Sequence, residues 1–584
     1  MSDSAGHPAL PTMPTHSTVR HWPLPLLVAA LAWLAILATL DSSGAVPQLG
    51  EGPGLTFDET FNVQMGVYHV RAVREYGLGL LHMDSIREIF GAEVYNPDHP
   101  PLGRVLIGLA HELSWPLLHP TVPVDSVAVT CGRVASACGF ALTILLIGWT
   151  TSRWYGRIAG LIAALSMVLM PRLFAHAHIA SLETFTNLFY VATVLYVADR
   201  WTRGDRPNWG PVMLSGVLLG LTLLTKIQGI LLPIPIALWA LWHWRLRAIL
   251  PIILFGLTGV AVFFVSWPWL WLDPVAHVSE YLGRTTDRLT LYCWYMGQKW
   301  ADTDVPWHYP VVMFAVTVPV GLHVLGVLGA IGDRLSAFGV RVSEEDSDTR
   351  HPKPDRRITQ LITLNVLWPL LFFALPGITV YDGTRLFLMV FPLWAILIGR
   401  GGSLLWEWLA QRWSSRTATI ALTVLLLCQS YGSIAMHPVQ LSYYNLLVGG
   451  LRGADHLGFE VTYWGDSVTR SMLRDFGGGE GTQPIFVAPV LHPFQLSELQ
   501  SQAADLKPRL MPFDDNQPWD VRRVLVIRRR ADSWSALTPE PQHSQLNGEI
   551  TREGVQLSGY YEIEPGTFGD RTPYLNSPEF RPTY

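Results

Sequence analysis

The chain has 584 residues, 49% of them hydrophobic and 15% charged, with a mean hydropathy of +0.26. That is far more apolar than a soluble multidomain enzyme requires, so the solvent it is built for is a bilayer. A formal net charge of −5 leaves no footprint for nucleic acid, and four scattered cysteines, Cys131, Cys138, Cys293 and Cys428, indicate neither a disulfide framework nor a CxxC metal site.

The first 23 residues are polar and Pro-rich and read as a cytoplasmic tail, followed by an apolar run at 24–40. Many further spans come after it, so this run reads as an uncleaved anchor in preference to a signal peptide. A crossing helix needs about 20 mostly apolar residues, because only a helix satisfies its own backbone in lipid. Later runs of this kind lie at 127–150, 158–173, 184–198, 211–224, 227–242, 249–271, 311–331, 361–375, 386–398 and 417–434. The fold expected is mainly α, a polytopic helical bundle over 24–434 with about eleven spans.

Orientation follows from the basic residues, which cells keep on the cytoplasmic side. Arg153 and Arg157, then Arg200, Arg203 and Arg206, then Arg245 and Arg247, then Arg334, Arg356 and Arg357, then Arg400, Arg412 and Arg416 fall in alternate loops. Those loops read as inside, as does the N-terminus. The shorter stretch at 102–118 contains Arg104, His111 and Glu112, and counting it as a span would reverse the pattern, so it reads as a juxtamembrane helix. Outside then lie the loops 41–126 and 272–310, the turns near 171–183 and 225–226, and everything from His437. The segment 343–357, SEEDSDTRHPKPDRR, reads as a solvated cytoplasmic linker. The segment 435–584 alternates apolar runs such as PIFVAPV and RRVLVIRRR with Gly- and Pro-rich turns, which predicts an extracytoplasmic soluble α/β domain of about 150 residues.

The residues able to carry chemistry gather on the expected outer side. In LTFDETFN the carboxylates Asp58 and Glu59 are adjacent, a pairing that suits a general base and equally suits a helix N-terminus. In YNPDHPPLGRVLIG the prolines predict a helix starting near Pro101, whose free N–H groups, with Arg104 one turn in and His99 at the mouth, would draw a phosphate. Lys226 and Arg385 stand at outer span ends where basic residues are otherwise scarce; they either mark a site or snorkel to the interface. The loop 272–310 ends in Trp307, His308 and Tyr309, which would close over substrate or anchor the interface, as the 24 Trp and 19 Tyr do generally.

The pairing of FDETFN with HPPLGR resembles the GT-C superfamily of membrane glycosyltransferases, in the protein O-mannosyltransferase-like branch that includes lipid A aminoarabinose transferases. HIASLETFTNLFYV, LLTKIQGILLPIP, GQKWADTDVPWHYP and DGTRLFLMVFPLWAIL resemble, in order, its second acidic site, its lysine-bearing turn, its aromatic loop and its arginine-bearing segment. The resemblance implies that Asp58 is the catalytic base with Glu59 beside it. Glu183 takes the second acidic position, where the branch often has Asp. His99 stands where the aminoarabinose transferases have a donor-contacting lysine, a departure that speaks against their substrate. Lys226 and Arg385 are the remaining candidates to hold the lipid phosphate, with His99 and with Arg104 from the helix start. The implied activity is inverting transfer of a sugar, mannose being one candidate, from a polyprenyl-phosphate donor in the lipid to an acceptor protein, lipid or glycan at the outer face of a bacterial plasma membrane. Lys and Arg suffice for a monophosphate leaving group, so no cofactor and no obligatory metal are expected. The competing reading is a transporter or lipid-handling protein without transfer chemistry; the gathering of ionisable groups in large loops on one side favours an enzyme.

Overall fold

The structure, a computed structural model, describes residues 21–42, 44–121, 127–286, 290–335, 355–477, 484–488, 493–502, 510–512, 523–527 and 544–563. The tail up to Arg20 and nearly all of the expected 343–357 linker lie outside these residues. The described chain is mostly helical, and proline at the first helical position starts several elements, among them Pro23–Leu37, Pro101–Leu118, Pro171–His176 and Pro233–Trp244. The helix expected near Pro101 therefore begins there.

By length and composition, three helices among the described residues can cross a membrane: Val129–Tyr155, Ile227–Val265 and Ser415–Ala435. A fourth is a bent pair. The run read as one span at 311–331 is broken into Tyr309–Thr317 and Val320–Gly332, at 113° to one another. Pro319 explains the break, since it drives Val318 into an extended conformation (φ −100°, ψ 136°) that a helix cannot contain. The runs read as separate spans at 227–242 and 249–271 fall largely in Pro233–Trp244 and Ile249–Val265, with a tight turn at Arg245 (φ 50°) between them.

Close helix packing depends on glycine, because lipid supplies no hydrophobic drive and backbones must approach to gain dispersion contacts. The Val390–Arg412 helix packs on Val320–Leu335 and on Arg157–Leu169. A Cβ on Gly401 would lie 1.8 Å from the Leu325 carbonyl oxygen. The Glu59–Tyr76 and Pro101–Leu118 helices cross in the same manner, a Cβ on Gly108 reaching within 2.0 Å of the Gly66 oxygen.

The two ends of the bundle differ in charge. At one end Arg153 and Arg203 pair with Asp199 at 3.3 and 2.6 Å, and Arg357 donates to the Thr202 carbonyl at 2.8 Å. Arg400, read as a loop residue, instead lies inside a helix, buried, donating to Gly329 O and Thr359 Oγ1 at 2.8 and 3.1 Å.

Strands are short. A hairpin of β1 (Tyr292–Tyr295) and β2 (Gln298–Ala301) sits in the 272–310 loop. In the C-terminal segment β3 (Ile485–Ala488), β4 (Leu510–Pro512), β5 (Arg523–Ile527), β6 (Ser544–Arg552) and β7 (Val555–Ile563) form one sheet in the order β4-β3-β5-β7-β6. β3 runs parallel to β4 and β5; the remaining pairs are antiparallel. This segment is stitched to the helical part. Arg470 pairs with Asp41 at 3.0 Å, Gln495 donates to Phe57 O at 2.8 Å, and Ser471 N donates to Glu51 Oε1 at 2.6 Å.

Candidate active site

Asp58 stands at the N-cap of the Glu59–Tyr76 helix but makes no capping hydrogen bond. Its carboxylate is paired instead with Arg385, some 330 positions along the chain. That guanidinium serves two more carboxylates, its Nε donating to Glu183 Oε1 at 2.7 Å and its Nη1 to Asp382 Oδ2 at 3.0 Å. Lys226 binds the same Glu183 oxygen. Four residues expected in the site, Asp58, Glu183, Lys226 and Arg385, are thus brought into one network from four segments of chain. Asp58 is its most open member, with about a third of the side chain exposed, while Glu183, Lys226 and Arg385 are buried.

Each is positioned by local structure. Glu183 lies in the first turn of Leu182–Trp201, and its other oxygen accepts from the Ser181 hydroxyl at 2.7 Å. Lys226 occupies an extended turn (φ −164°, ψ 155°) just before the 3₁₀ turn Ile227–Leu231. Arg385 opens the 3₁₀ turn Arg385–Phe387, reached through Asp382 (φ 54°) and Gly383 (φ 65°), so a left-handed bend delivers both Asp382 and Arg385. Leu102 N donates to Leu224 O at 3.0 Å, tying the start of the Pro101–Leu118 helix to the Lys226 turn.

His99 and Arg104 approach this network without pairing into it. Arg104 is buried, donating Nη1 to Asn96 O at 2.6 Å, while its Nε has no partner. Removal from water, and then the charges of Arg104, Lys226 and Arg385, hold His99 well below the usual imidazole range. It stands as a hydrogen-bonding group beside the cations, where the aminoarabinose transferases have a lysine.

Glu59 departs from its expected role. It accepts from Arg133 Nε and Nη2 at 2.7 Å each, from Thr56 N at 2.9 Å and from Ala180 N at 2.7 Å, and both partners of the ion pair are out of solvent. Arg133 also donates to the carbonyls of Leu40, Pro53 and Gly54 at 3.1, 2.7 and 2.8 Å. This is a clamp that fixes the 52–59 loop, and it leaves Glu59 no free oxygen to serve as a base.

The aromatic trio is engaged with its own loop. Trp307 is 68% exposed, His308 Nδ1 meets the Tyr295 hydroxyl at 2.8 Å, and Tyr309 is buried against Tyr295 with ring centroids 4.9 Å apart. These contacts seat the β1–β2 hairpin; the aromatics by the Arg385 guanidinium are Tyr381, 5.9 Å from it, and Trp464, neither singled out by the sequence reading. Trp464 packs its ring 4.4 Å from the Arg385 guanidinium and 5.4 Å from the His176 ring. Its loop is held to the first one by hydrogen bonds from Gly54 N to Asp466 O at 2.8 Å and from Phe57 N to Trp464 O at 3.1 Å. The C-terminal segment thereby forms one wall of the site.

Residues 98–271 match the dolichyl-phosphate-mannose-protein mannosyltransferase family. The match spans His99, Arg104, Glu183 and Lys226, and over that stretch it bears out the resemblance to protein O-mannosyltransferases. Comparison with curated proteins finds none that matches. Among solved structures, ArnT from Cupriavidus metallidurans is similar in two states. The one bound to undecaprenyl phosphate has 14% identity, covers 92% of this chain and 97% of that one, and has a TM-score of 0.44. The apo state has 12% identity, coverage of 93% and 98%, and a TM-score of 0.46. The S. cerevisiae protein O-mannosyltransferase Pmt1-Pmt2 complex bound to the sugar donor has 16% identity, coverage of 48% and 39%, and a TM-score of 0.30. At these TM-scores no likeness fixes the role of a residue.

Proposed function

We propose that this chain is an inverting glycosyltransferase that moves one sugar, with mannose the first candidate, from a polyprenyl phosphate to an acceptor hydroxyl at the outer face of the plasma membrane. The observation that carries it is the network around Arg385, in which a half-open carboxylate, Asp58, faces two buried cations, Lys226 and Arg385. On this reading the clustered arginines at the opposite end of the bundle mark the cytoplasmic side, the chain crosses about eleven times, and the sheet-bearing segment belongs to an extracytoplasmic α/β domain.

In the resting network one guanidinium serves three carboxylates, and the Asp58 oxygen that would take a proton is occupied by Arg385. A donor phosphate competes for that guanidinium and for Lys226. As it draws Arg385 toward itself, the Asp58 oxygen is released to face the acceptor. Asp58 then takes the proton from the acceptor hydroxyl, and the acceptor oxygen forms its bond to the anomeric carbon. The bond from that carbon to the phosphate oxygen breaks, and polyprenyl phosphate leaves with the electron pair, stabilised by Lys226, Arg385 and Arg104. Glu183 orients both cations. The charge on the leaving group is met by side chains, so the reaction as proposed requires neither metal nor cofactor. Attack opposite the leaving group inverts the configuration.

The test is transfer itself. Membranes containing the chain are incubated with a panel of radiolabelled polyprenyl-phosphate sugars, and label is followed into protein, lipid and glycan fractions. Transfer from at least one donor is expected; failure with every donor, in membranes where the chain is shown to be folded, would return the protein to the transporter or lipid-handling reading.

A further inference from the structure

Beside Trp464 lies a second set of polar side chains that the proposed reaction does not use. Arg172 is 1% exposed; its Nε donates to Tyr443 O at 3.2 Å, and its guanidinium carbon lies 4.7 Å from the Tyr444 ring centroid and 5.9 Å from that of Tyr463. Its Nη1 and Nη2 are buried; the Tyr444 phenol interacts with the guanidinium, but neither nitrogen has an acceptor in full hydrogen-bonding geometry. The Tyr463 hydroxyl, His176 Nε2 and both oxygens of Asp466, which is also 1% exposed, likewise have no partner, apart from contact of the Asp466 carboxyl with its own backbone N–H. Arg172 lies within electrostatic reach of His176, Tyr463 and Asp466, yet it forms no ion pair with Asp466.

Buried polar atoms without partners are rare, because each gives up water and receives nothing in exchange, so several meeting in one place call for a ligand. The set adjoins the charged network directly. A Cβ on Gly383 would lie 2.7 Å from Arg172 Nη1 and 3.1 Å from the Tyr463 ring, so the bend that carries Asp382 and Arg385 rests on these two residues. The chemistry on offer is a guanidinium fork, a carboxyl group, a phenol and an imidazole nitrogen next to the indole of Trp464. Asp466 disfavours a second phosphate, Arg172 disfavours an ammonium group, and all of them disfavour a hydrocarbon chain. What remains is a neutral group with several adjacent hydroxyls.

We propose that Arg172, Tyr463 and Asp466 hold the hydroxyl groups of the sugar carried by the donor lipid, and so select a neutral, polyhydroxylated sugar. This rests on the reading of Arg385 as a phosphate ligand, since the sugar is attached to that phosphate. The three are specificity residues; the reacting atoms meet Asp58, Arg385 and Lys226.

The test is a binding comparison with the purified full-length chain in nanodiscs, following tryptophan fluorescence. The ligands are bare undecaprenyl phosphate and undecaprenyl phosphate bearing mannose, glucose or galactose. Wild type should bind at least one sugar-bearing lipid more tightly than the bare lipid. Tyr463→Phe, which removes a hydroxyl lacking any partner and should fold normally, and Asp466→Asn should each reduce that increment about tenfold while leaving the bare lipid within about twofold. Equal loss on both lipids, no loss on either, or a wild type that does not distinguish the lipids overturns the proposal while leaving the donor reading standing. A wild type that binds neither lipid overturns both.

Discussion

Replacing Arg133 with Met tests whether Glu59 is structural. Arg133 and Glu59 are 0% and 1% exposed, and the arginine makes two hydrogen bonds to the carboxylate and three to carbonyls of the 40–54 segment. Removing the cation strands a buried carboxylate, a loss of about 3–5 kcal/mol, and leaves three carbonyls without their donor. Neutralising Glu59 as well should return part of this: Arg133→Met with Glu59→Gln is expected to be more stable than Arg133→Met alone by about 1–2 kcal/mol. The assay is thermal unfolding of the purified chain in one detergent, with all four members of the cycle side by side. Melting temperatures that fall additively, or an Arg133→Met chain as stable as wild type, would refute the clamp. A Glu59→Gln chain that melts like wild type but has lost transfer would restore Glu59 as a reacting group.

Three other outcomes are expected. Burial raises the Asp466 carboxyl to about 7 from 3.8, with Glu59 adding to the rise and Arg172 and Arg133 opposing it, so its contribution to stability is full below about pH 4 and lost as pH climbs through 7. At about 1.4 kcal/mol per pH unit the whole loss is about 4 kcal/mol; the melting-temperature difference between Asp466→Asn and wild type should move in the variant's favour from pH 5 to pH 8, and a flat difference would contradict the buried carboxyl. Arg385→Lys keeps the charge but cannot serve three carboxylates through a planar fork, so kcat/KM for the donor should fall about 100-fold and the melting temperature should fall as well, because buried carboxylates lose their partner; wild-type kcat/KM would contradict the network. Product formed from a donor of known anomeric configuration should be inverted by NMR; retention would require a covalent intermediate and exclude single displacement.

Much of this architecture could be read from residue order. Prolines at helix starts fixed where Pro101–Leu118 begins, and basic residues at outer span ends pointed to Lys226 and Arg385, because a charge at membrane depth needs a reason. The same rule, applied inside the apolar runs, would have found Arg133 and Arg172, each buried among helices and each organising a polar group. The partnership of Asp58 with Arg385 was not legible, since it depends on how distant segments pack, through contacts such as Gly66 on Gly108. Adjacency misled at Asp58 and Glu59: consecutive residues at a helix start point apart, and one reaches the cluster while the other turns to Arg133. Trp464 was missed because the run VTYWGDS has no periodicity, and only the fold carries it back to the first loop.

The most direct measurement is single-turnover transfer by purified Asp58→Asn with a donor that wild type uses. A general base contributes about 10²–10⁴-fold, so transfer should fall by that factor while donor binding and melting temperature stay close to wild type. Near-normal transfer by this variant would contradict the account, because no other half-open carboxylate in the described network stands opposite Lys226 and Arg385.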